Sequence, residues 1–549
     1  MVNQEQQIIR GQLVRISEQT IKGVEIRIED GKIQSIQEID NAPEVFILPP
    51  FVDAHVHIES SMLVPAEFAR LAVVHGTGAT VSDPHEIGNV LGVEGVEYMI
   101  ENGKKVPFKF YFGAPSCVPA TPFETAGAVI SPNDIDRLFQ NPDIKYLAEM
   151  MNWPGVLQKD PEVMEKIRIA QKHNRPVDGH APGLKGQQAH DYATAGISTD
   201  HECFTAEEAL DKLACGMKIL IREGSAAKNF DALVDLLHEH SAQMMFCSDD
   251  KHPDNLVEGH INQLAARAVK RGVDSFKVLQ AACVNPVAHY GLELGQLKEG
   301  DPADLIVVKD LQNFEVLKTY LNGQLVAENG KSLIPRSQSN IINKFDASPL
   351  QDNQLRIAAK EKHIQIIEAS DGQLITKSIT EEALIEEGFV SPDPSRDILK
   401  LVVLNRYTQN NEPAIAFIRG FGMKEGAIAS SVAHDSHNLI AVGTNDKEIT
   451  KAINLLIEAK GGVAAVKDKE EKVLPLPVAG LMSADDGYEV AAAYSHVDAF
   501  AKSMGSKLSS PFMTLSFMAL LVIPSLKLSD KGLFNGETFS FTSLFSEDQ

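Results

Sequence analysis

The sequence has few basic side chains for its length. Its 549 residues contain 51 lysines and arginines against 75 aspartates and glutamates, which gives a formal net charge of −24 at pH 7. Proteins that bind the phosphate backbone of nucleic acids need a basic surface, so this balance argues against a nucleic-acid partner. The hydrophobic content of 44% and the charged content of 23% are typical of a soluble globular protein, and the length predicts several domains.

Cysteines and long apolar runs are also scarce. The five cysteines include no CxxC pair, which predicts reduced thiols and a cytoplasmic location instead of a disulfide framework. The longest apolar run, residues 517–524, is too short to cross a bilayer. The first seven residues contain neither a basic stretch nor an apolar core, so we expect no signal peptide and no membrane partner.

Several common catalytic motifs are absent. Neither His85-Glu86 nor His201-Glu202 is followed by the second histidine of the HExxH zinc-protease helix. A phosphate-binding P-loop, a GxSxG elbow, a dinucleotide fingerprint and the signature of the small zinc nucleobase deaminases are missing too. These absences argue against the corresponding enzyme classes.

The most informative segment is Asp-Ala-His-Val-His at residues 53–57, at the end of a short apolar run. In a strand, residues two apart point to the same side, so His55 and His57 would project together and could bind one metal ion. Taken alone, two alternating histidines are more often ordinary surface or core residues. Histidines and carboxylates at the ends of later apolar runs make the metal interpretation the stronger one.

The middle of the chain alternates short apolar runs with amphipathic stretches. Residues 161–174 are the clearest helix, with Val163, Ile167 and Ala170 on one stripe. Eight strand–helix units in roughly 200 residues predict a (β/α)8 barrel, in which the chemistry lies at the carboxyl ends of the strands. The predicted strands are residues 52–58, 79–82, 108–113, 146–150, 176–179, 198–200, 218–222 and 244–248.

Strand-rich segments flank this middle, and a further region follows it. We therefore predict an α/β protein with a metal-dependent (β/α)8 barrel, a small β-sandwich domain formed from both flanks of the barrel, and a C-terminal α/β domain. In the last domain, the clearest strands are residues 397–404 and 413–419 and the clearest helix is 447–459. The predicted boundaries are 1–48 with 293–335 for the β-domain, 49–292 for the barrel, 336–353 for a linker and 354–549 for the C-terminal domain.

Histidines and carboxylates recur where the predicted barrel strands end. A single carboxylate there is often only a helix N-cap, and a single histidine is often a satisfied core residue. A His-x-His pair, a carboxylate, two further histidines and a final aspartate, each about one strand apart, are much harder to obtain by chance. The residues are His55, His57, Glu149, His180, His201 and Asp249, with Asp83, His85 and Glu86 after the second strand.

This mixture of residue types suits a pair of divalent metal ions. Histidine favours borderline metals and carboxylate favours harder ones, so Mn²⁺, Fe²⁺ and Zn²⁺ are all compatible. A carboxylate such as Glu149 can bridge two ions. A bound metal lowers the pKa of water, and Asp249 could take the proton of that water and deliver it to a leaving group.

With these residues in view, the sequence resembles the amidohydrolase superfamily, and more closely the adenine deaminases of the bacterial type. The resemblance covers nearly the whole chain. It includes the string Asp-Ala-His-Val-His-Ile-Glu-Ser-Ser-Met at residues 53–62 and the strings at residues 83–87, 221–229, 259–262, 426–438 and 511–517.

The resemblance implies hydrolytic deamination of adenine to hypoxanthine and ammonia, by a metal-activated hydroxide that attacks purine C6. It implies two divalent metal ions, with Mn²⁺ expected ahead of Fe²⁺ or Zn²⁺, and a place in purine salvage or adenine breakdown. It also implies a homodimer with adenine as its small-molecule partner. The implied metal ligands are His55, His57, Glu149, His180, His201 and Asp249.

Further roles are expected of residues close to these ligands. Asp249 would carry the proton, and Glu202 would protonate ring N1 unless its side chain points outward. Asp83, His85 and Glu86 would hold the water, orient ligands or bind substrate, unless they only begin the helix after the second strand.

Two loops allow more than one interpretation. Arg222, Glu223 and Ser225 would line the purine pocket, unless an Arg–Glu pair merely braces the loop after the seventh strand. In the C-terminal region, a polar segment could close over the active site, lie at a domain or subunit interface, or be a solvated loop. Its residues are His434, Asp435, His437 and Asn438.

Two other functions compete with deamination of adenine. A hydrolase for cyclic amides, of the dihydroorotase or hydantoinase kind, could use the same metal centre, although the strings at residues 82–89 and 221–229 favour the adenine family. A non-catalytic barrel with a structural metal site would have no need of Asp249, the expected proton carrier.

Overall fold

Four strands open the fold. The structure, a computed structural model, describes residues 7–409 and 412–546. Residues 1–6 of the predicted β-domain, and residues 410–411 and 547–549 of the predicted C-terminal domain, lie outside the described residues. The four strands are β1 (Gln7–Arg15), β2 (Thr20–Glu29), β3 (Lys32–Glu38) and β4 (Phe46–Leu48).

Eight short strands then follow at the eight predicted places. They are β5 (Phe51–Val56), β6 (Thr77–Ser82), β7 (Lys109–Ala114), β8 (Ile144–Met150), β9 (Val177–Gly179), β10 (Thr199–Asp200), β11 (Lys218–Arg222) and β12 (Met244–Cys247).

These strands form a closed parallel ring. β5 to β9 make a five-stranded sheet and β10 to β12 a three-stranded sheet. Parallel bridges between Val177 and Ile197 and between Val56 and Asp249 join the two sheets at both ends. The carboxyl ends of all eight strands therefore meet on one side of the ring.

Helices connect the parallel strands, because such strands need long crossovers. The helices up to residue 290 are α1 (Pro65–Ala72), α2 (His85–Leu91), α3 (Val93–Gly103), α4 (Pro132–Leu138), α5 (Trp153–Gln158), α6 (Pro161–Lys172), α7 (Gly186–Thr194), α8 (Ala206–Ala214), α9 (Phe230–Leu233), α10 (Leu237–His240), α11 (Pro253–Glu258), α12 (Ile261–Lys270), α13 (Ser275–Leu279) and α14 (Asn285–Tyr290). The predicted helix at 161–174 is α6, which Asp160 caps by accepting from two backbone N–H groups.

Four strands after the ring return to the first four. They are β13 (Leu305–Val308), β14 (Val316–Leu321), β15 (Gln324–Glu328) and β16 (Lys331–Ser332). β4 pairs with β1 on one side and with β13 on the other. Both flanks of the ring consequently share one sheet, in the order β16-β15-β14-β13-β4-β1-β2-β3. Residues 333–351, which contain most of the predicted linker, have no helix or strand.

The C-terminal region is built on a second large sheet. The strands of the C-terminal region are β17 (Ile357–Ala358), β18 (His363–Glu368), β19 (Lys377–Glu382), β20 (Leu384–Glu386), β21 (Phe389–Ser391), β22 (Leu399–Leu404), β23 (Ala414–Arg419), β24 (Ala427–Ser430), β25 (Leu439–Gly443), β26 (Gly462–Lys467), β27 (Glu470–Pro475), β28 (Leu526–Ser529), β29 (Gly532–Asn535) and β30 (Ser540–Phe541). Its helices are α15 (Asp446–Ala459), α16 (Gly487–Ser503) and α17 (Pro511–Ser516). The large sheet has the order β19-β18-β23-β22-β25-β24-β26-β27.

The C-terminal region packs against the segment that follows β5, including the first turn of α1. The backbone N–H of Val64 donates to the carbonyl oxygen of Ser483 at 3.1 Å, and the backbone N–H of Gly487 donates to the Glu67 carboxylate at 3.0 Å. These contacts bring residues of the C-terminal region to the side of the ring where the strands end. None of the described helices is both long enough and apolar enough to cross a membrane.

Candidate active site

The first two histidines come from the end of β5. All six residues of β5 are buried, so the side chains that point into the ring are held by packing on both sides. His55 lies in the strand and His57 follows it. The Nε2 atoms of the two rings are 3.2 Å apart, which confirms the prediction that the two histidines project together.

Glu149, at the end of β8, lies between histidines from three other strands. Its Oε2 is 2.7 Å from Nδ1 of His180 and 3.1 Å from Nε2 of His201, and its Oε1 is 3.3 Å from Nε2 of His57. Burial alone would raise the pKa of Glu149, but the charges of these histidines, His180 first, and their hydrogen bonds hold the pKa well below its usual range. An ionised carboxylate in this position can contact two metal ions at once.

Asp249 follows β12 and faces the same point. Its backbone N–H donates to the carbonyl oxygen of His55 at 2.9 Å, and its Oδ1 is 3.3 Å from Nε2 of His57. Its other oxygen accepts from Nη1 of Arg222 at 2.6 Å. Burial would raise the pKa of Asp249, yet the Arg222 guanidinium beside it keeps the pKa well below the ordinary value. We call the buried set at these strand ends the strand-end cluster: His55, His57, Glu149, His180, His201 and Asp249.

The donor chemistry of the strand-end cluster fits divalent metal ions. Nδ1 of His57 lies 3.2 Å from the carbonyl oxygen of Asp83, which can only accept, so Nδ1 carries a hydrogen and Nε2 is the nitrogen left for a metal ion. Nε2 of His55 and carboxylate oxygens of Glu149 and Asp249 lie 3.2–3.3 Å from it. Burial would lower the pKa of His57, but the Asp249 and Glu149 carboxylates raise it well above its usual range, so this point stabilises a positive charge, which a metal ion can supply.

Several overlapping groups in this region have ligand atoms that all lie within 4.8 Å of one another. This spacing allows the atoms of each group to share one ion. The groups include His57, Asp83, His85 and Glu149; His55, His57 and Asp249; His55, Glu149 and His201; and His180, His201 and Glu202.

Glu202 points into the site and not outward, since only 1% of it is exposed. Its Oε2 accepts from Nη2 of Arg222 at 3.1 Å, and its Oε1 contacts the other terminal nitrogen of the same guanidinium. Oε1 also lies 3.6 Å from Nδ1 of His180. Arg222 therefore holds Glu202 and Asp249 on either side of one buried guanidinium.

His85 combines the two roles considered for the segment after β6. It begins α2, and its backbone N–H donates to Oδ1 of Asp83 at 3.0 Å, as at a helix start. Its ring also reaches the centre: Nδ1 is 3.0 Å from Oδ2 of Asp83 and 3.5 Å from Oε1 of Glu149. The ring of His85 thus separates the strand-end cluster from Glu86, whose Oε1 is 3.5 Å from its Nε2.

Glu223 and Ser225 make their described contacts with neighbouring loops and helices. Glu223 pairs with Arg267 at 2.9 Å, so the bracing pair exists but with another arginine than Arg222. The hydroxyl of Ser225 donates to Oδ1 of Asn255 at 2.7 Å and accepts from the backbone N–H of His252 at 2.8 Å. Their substrate contact stays a prediction.

A loop of the C-terminal region completes the site. Nδ1 of His434 is 2.6 Å from Oε1 of Glu86, and Nε2 of His437 contacts the other oxygen of Glu86. Oδ2 of Asp435 is 3.8 Å from Nε2 of His85. We call Glu86, His434, Asp435 and His437 the C-terminal cluster; each of its residues is at most 3% exposed. Of the roles considered for this loop, a solvated loop is therefore excluded.

Charge and burial act differently on the histidines of the C-terminal cluster. Burial lowers the pKa of His437 to about 4. For His434 burial acts in the same direction, but the Glu86 and Asp250 carboxylates outweigh it and raise the pKa to about 9. Burial raises the pKa of Asp435 to about 6.

Sequence reasoning missed Asp53, which braces the first and last strands of the ring. Its Oδ2 accepts from Nε2 of His260 at 2.8 Å, and its Oδ1 accepts from the backbone N–H of Ser248 at 2.9 Å. The signal was available, because Asp53 is two residues before His55 and shares its side of the strand. His260 comes from the loop before α12, so only the family string at residues 259–262 marked it.

A cavity of about 310 Å³ lies against this site. Glu202 is on its wall, and the rest of the lining includes Phe204 from the ring and Leu374, Ile375 and Ile523 from the C-terminal region. Its volume is at the lower end of the range for small-molecule pockets.

Two parts of the chain match known protein families. Residues 46–326 match the amidohydrolase family, and residues 373–540 match the adenine deaminase C-terminal domain. The first match contains the whole strand-end cluster, and the second contains the three C-terminal residues that contact Glu86 and His85.

Similar proteins extend over nearly the full length of the chain. An adenine deaminase of Salinibacter ruber is 53% identical over 98% of both chains. One of Sulfurovum sp. is 53% identical over 97% of this chain and 98% of its own, and one of Methanosarcina mazei is 50% identical over the same shares.

Proposed function

The chain belongs to the amidohydrolase family and, within it, to the adenine deaminases, and on this premise we propose that its buried centre hydrolyses adenine to hypoxanthine and ammonia. The observation that carries the proposal is the convergence of four histidines and two carboxylates on one point at the strand ends. Identity of 50% or more with adenine deaminases over almost the full chain supports adenine as the substrate.

The strand-end cluster would hold two divalent metal ions. Glu149 is the proposed bridge because its two oxygens face different histidines. Divalent ions held there would lower the pKa of a water molecule enough to supply hydroxide near neutral pH. Mn²⁺ is proposed ahead of Fe²⁺ and Zn²⁺ on the resemblance to the bacterial adenine deaminases, since the mixture of carboxylate and imidazole admits all three metals.

Asp249 is the proposed proton carrier of the reaction. Water adds its oxygen to C6 of the purine, and Asp249 takes a proton from that water. Asp249 then passes the proton to the 6-amino group, the C–N bond breaks, and ammonia leaves. The hydrogen bond from Arg222 to Oδ2 leaves Oδ1 facing the centre, so one oxygen orients the side chain while the other handles the proton.

Addition at C6 also needs a proton on ring N1. Glu202 is placed to supply it, because two hydrogen bonds from Arg222 orient its carboxyl group at the wall of the cavity. Nδ1 of His85 contacts Asp83 and Glu149, whereas its Nε2 faces Glu86 and Asp435, so His85 orients the carboxylates around the centre. Glu202 is the proposed donor of the N1 proton, and the hydrogen left on the C6 oxygen returns to it as the carbonyl group of hypoxanthine forms.

The cavity at Glu202 is the proposed entrance for adenine. It lies between the ring and the C-terminal region, so that region controls access to the buried site.

The proposal also includes the domain bounds. They are 49–292 for the (β/α)8 barrel, 1–48 with 293–335 for the composite β-domain, 336–353 for the linker, and 354 onward for the C-terminal domain. We further propose that the protein is a cytoplasmic homodimer with a role in purine salvage or adenine breakdown.

The proposal is tested by following adenine absorbance together with release of ammonia. Apo-protein reconstituted with Mn²⁺, Fe²⁺ or Zn²⁺ is expected to convert adenine to hypoxanthine with one ammonia per adenine. Absence of turnover by protein shown to bind two ions would contradict the proposal and would direct the search to cyclic amides.

A further inference from the structure

Lys212 is a buried cation behind two of the loops that carry proposed metal ligands. It lies in α8, and its side chain is fully buried. Its ammonium group donates to the carbonyl oxygen of Ala181 at 2.7 Å, to Oε1 of Glu208 at 2.9 Å and to Oδ2 of Asp200 at 3.1 Å. An ammonium group has three hydrogens, so each of them has an acceptor. A lysine is almost never fully buried unless partners of this kind hold it in place.

Asp200, in contact with Lys212, joins the loops after β9 and β10. Its Oδ2 accepts from the backbone N–H of Ala181 at 3.0 Å, and its Oδ1 accepts from the backbone N–H of Glu202 at 2.7 Å. These two N–H groups belong to the residues that directly follow the two histidines at the ends of β9 and β10. Lys212 and Asp200 together therefore fix the backbone that carries both histidines.

Glu208, also in contact with Lys212, holds two parts of the cavity wall. Its Oε1 accepts from the backbone N–H of Gly183 at 2.8 Å, and its Oε2 accepts from the backbone N–H of Phe204 at 3.3 Å. All three residues line the cavity of about 310 Å³ that lies against the site. Lys212 thus connects the two histidine loops with the proposed entrance for adenine.

The spacing of these two loops matters because side chains at their ends could share one ion. Ligand atoms of His180, His201 and Glu202 lie within 4.8 Å of one another. All three side chains belong to the loops that Asp200 joins. Replacing a residue that orients metal ligands from behind typically costs about 10- to 100-fold in metal affinity or activity. A lysine that only packed the core would affect stability and not these two quantities.

We propose that Lys212 is a positioning residue, which holds the loops of His180 and His201 at the spacing that one metal ion requires. This inference rests on the proposed function. All three hydrogens of Lys212 are used by protein atoms, so Lys212 acts through these partners and not on the substrate.

The test is the Mn²⁺ affinity of the full-length protein, measured by competition with a chelator, together with kcat and KM for adenine. Lys212→Met nearly keeps the length of the side chain but removes its charge and its hydrogen bonds. This variant should bind Mn²⁺ about 10- to 100-fold more weakly than the wild type, and its kcat should fall by a similar factor. Wild-type affinity and kcat in the folded variant would show that Lys212 only packs the core.

A second variant covers a loss of folding, because Lys212→Met leaves two buried carboxylates without their cation. Lys212→Met combined with Glu208→Gln removes one charge of each sign, so this double variant should fold and show the same loss of Mn²⁺ affinity. Glu208→Gln alone keeps Lys212 and Asp200 together but takes an acceptor from the N–H of Phe204. It should raise KM about 3- to 10-fold and leave the Mn²⁺ affinity unchanged. An equal loss of affinity in Glu208→Gln and in the double variant would contradict the role of Lys212.

The matched control is Lys400→Met. Lys400 is a buried lysine of β22 that donates to the carbonyl oxygen of Leu355 at 2.8 Å and contacts the Asp446 carboxylate. Lys400→Met should lower Tm without changing the Mn²⁺ affinity or kcat, and a loss of affinity equal to that of Lys212→Met overturns the inference.

The affinity is measured without turnover, which separates the inference from the proposed function. Wild-type protein that binds Mn²⁺ but does not deaminate adenine would contradict the proposed function. The affinities of the wild type, Lys212→Met and Lys400→Met would still decide the role of Lys212.

Discussion

The strand-end cluster and the C-terminal cluster use the same residue types in opposite ways. In the first, Nε2 atoms of His55 and His57 face each other at 3.2 Å, and carboxylate oxygens crowd the same point. In the second, each oxygen of Glu86 faces a histidine nitrogen, and for His437 the hydrogen can be assigned to that nitrogen. Four histidines and two carboxylates around one point stabilise a cation, whereas the contacts of Glu86 with His434 and His437 hold the C-terminal loop against the ring.

The comparison teaches that histidine content alone does not identify a metal site. His57 has its Nδ1 against a backbone carbonyl and so leaves Nε2 as the nitrogen that a metal ion can bind, while His437 has its Nδ1 against a backbone N–H and so points a hydrogen toward Glu86. The backbone partner of the far ring nitrogen therefore decides whether a buried histidine serves as a ligand or as a donor.

The largest expected effect is that of Asp249→Asn in the strand-end cluster. Loss of the proton acceptor should lower kcat for adenine by about 10³-fold, within the range for a general acid–base group. Metal content should stay at the wild-type value, because the asparagine keeps an oxygen where Oδ1 of Asp249 faces the centre. Steady-state assays with metal analysis check this. The control is Asp498→Asn, which changes a buried aspartate of α16 outside both clusters. Unchanged kcat would show that Asp249 is not the proton carrier.

Two histidine variants, one from each cluster, test whether metal is bound by the strand-end cluster alone. His57→Asn removes Nε2 from the centre, so at least one metal ion per chain should be lost and kcat should fall by about 100-fold or more. His437→Asn keeps an acceptor for Ala433 but loses the contact with Glu86, so metal content should be unchanged while kcat/KM falls about tenfold. Metal analysis by mass spectrometry separates the two. Loss of metal from His437→Asn would show that both clusters hold ions.

A smaller effect is expected at the entrance between the clusters and solvent. Ile375 is 48% exposed at the cavity lined by Glu202. Ile375→Trp should narrow this entrance and lower kcat/KM about 3- to 10-fold with the metal content intact. Ile385, 44% exposed in β20, provides the control Ile385→Trp, which should behave as the wild type. Equal kcat/KM for both variants would show that adenine does not enter through this cavity.

The smallest expected effect concerns stability beside the C-terminal cluster. Burial, with Asp435 nearby, raises the pKa of Glu124 to about 8. A carboxyl whose pKa is raised in the folded state holds its proton more tightly there than in the unfolded chain, so its contribution to stability decreases as pH rises from about 4.5 to about 8. Glu124→Gln should therefore raise Tm by about 2–6 °C at pH 8 and by little at pH 5.

Thermal unfolding of the metal-loaded protein at several pH values checks this expectation. The exposed Glu97, in α3, gives the control Glu97→Gln, whose Tm should follow the wild type at every pH. A Tm difference for Glu124→Gln that is the same at pH 5 and pH 8 would contradict the assigned cause.

The sequence predicted the ring and the approach of its ligands because both follow from local periodicity. β5 is marked by its apolar run, and the spacing of His55 and His57 places them on one side of it. The contact between Glu86 and His437 spans 351 residues and depends on how the C-terminal region packs on the ring, which no local pattern encodes. The same holds for Arg222, whose partners Glu202 and Asp249 follow two different strands.

The most direct test of this account is a crystal structure of the Mn²⁺-loaded protein with hypoxanthine, with anomalous scattering used to locate the metal. We expect two manganese peaks within the strand-end cluster, both next to Glu149, and no manganese peak within the C-terminal cluster. A manganese peak among His85, Glu86 and Asp435, or the absence of manganese from the strand-end cluster, would contradict the division of labour between the two clusters.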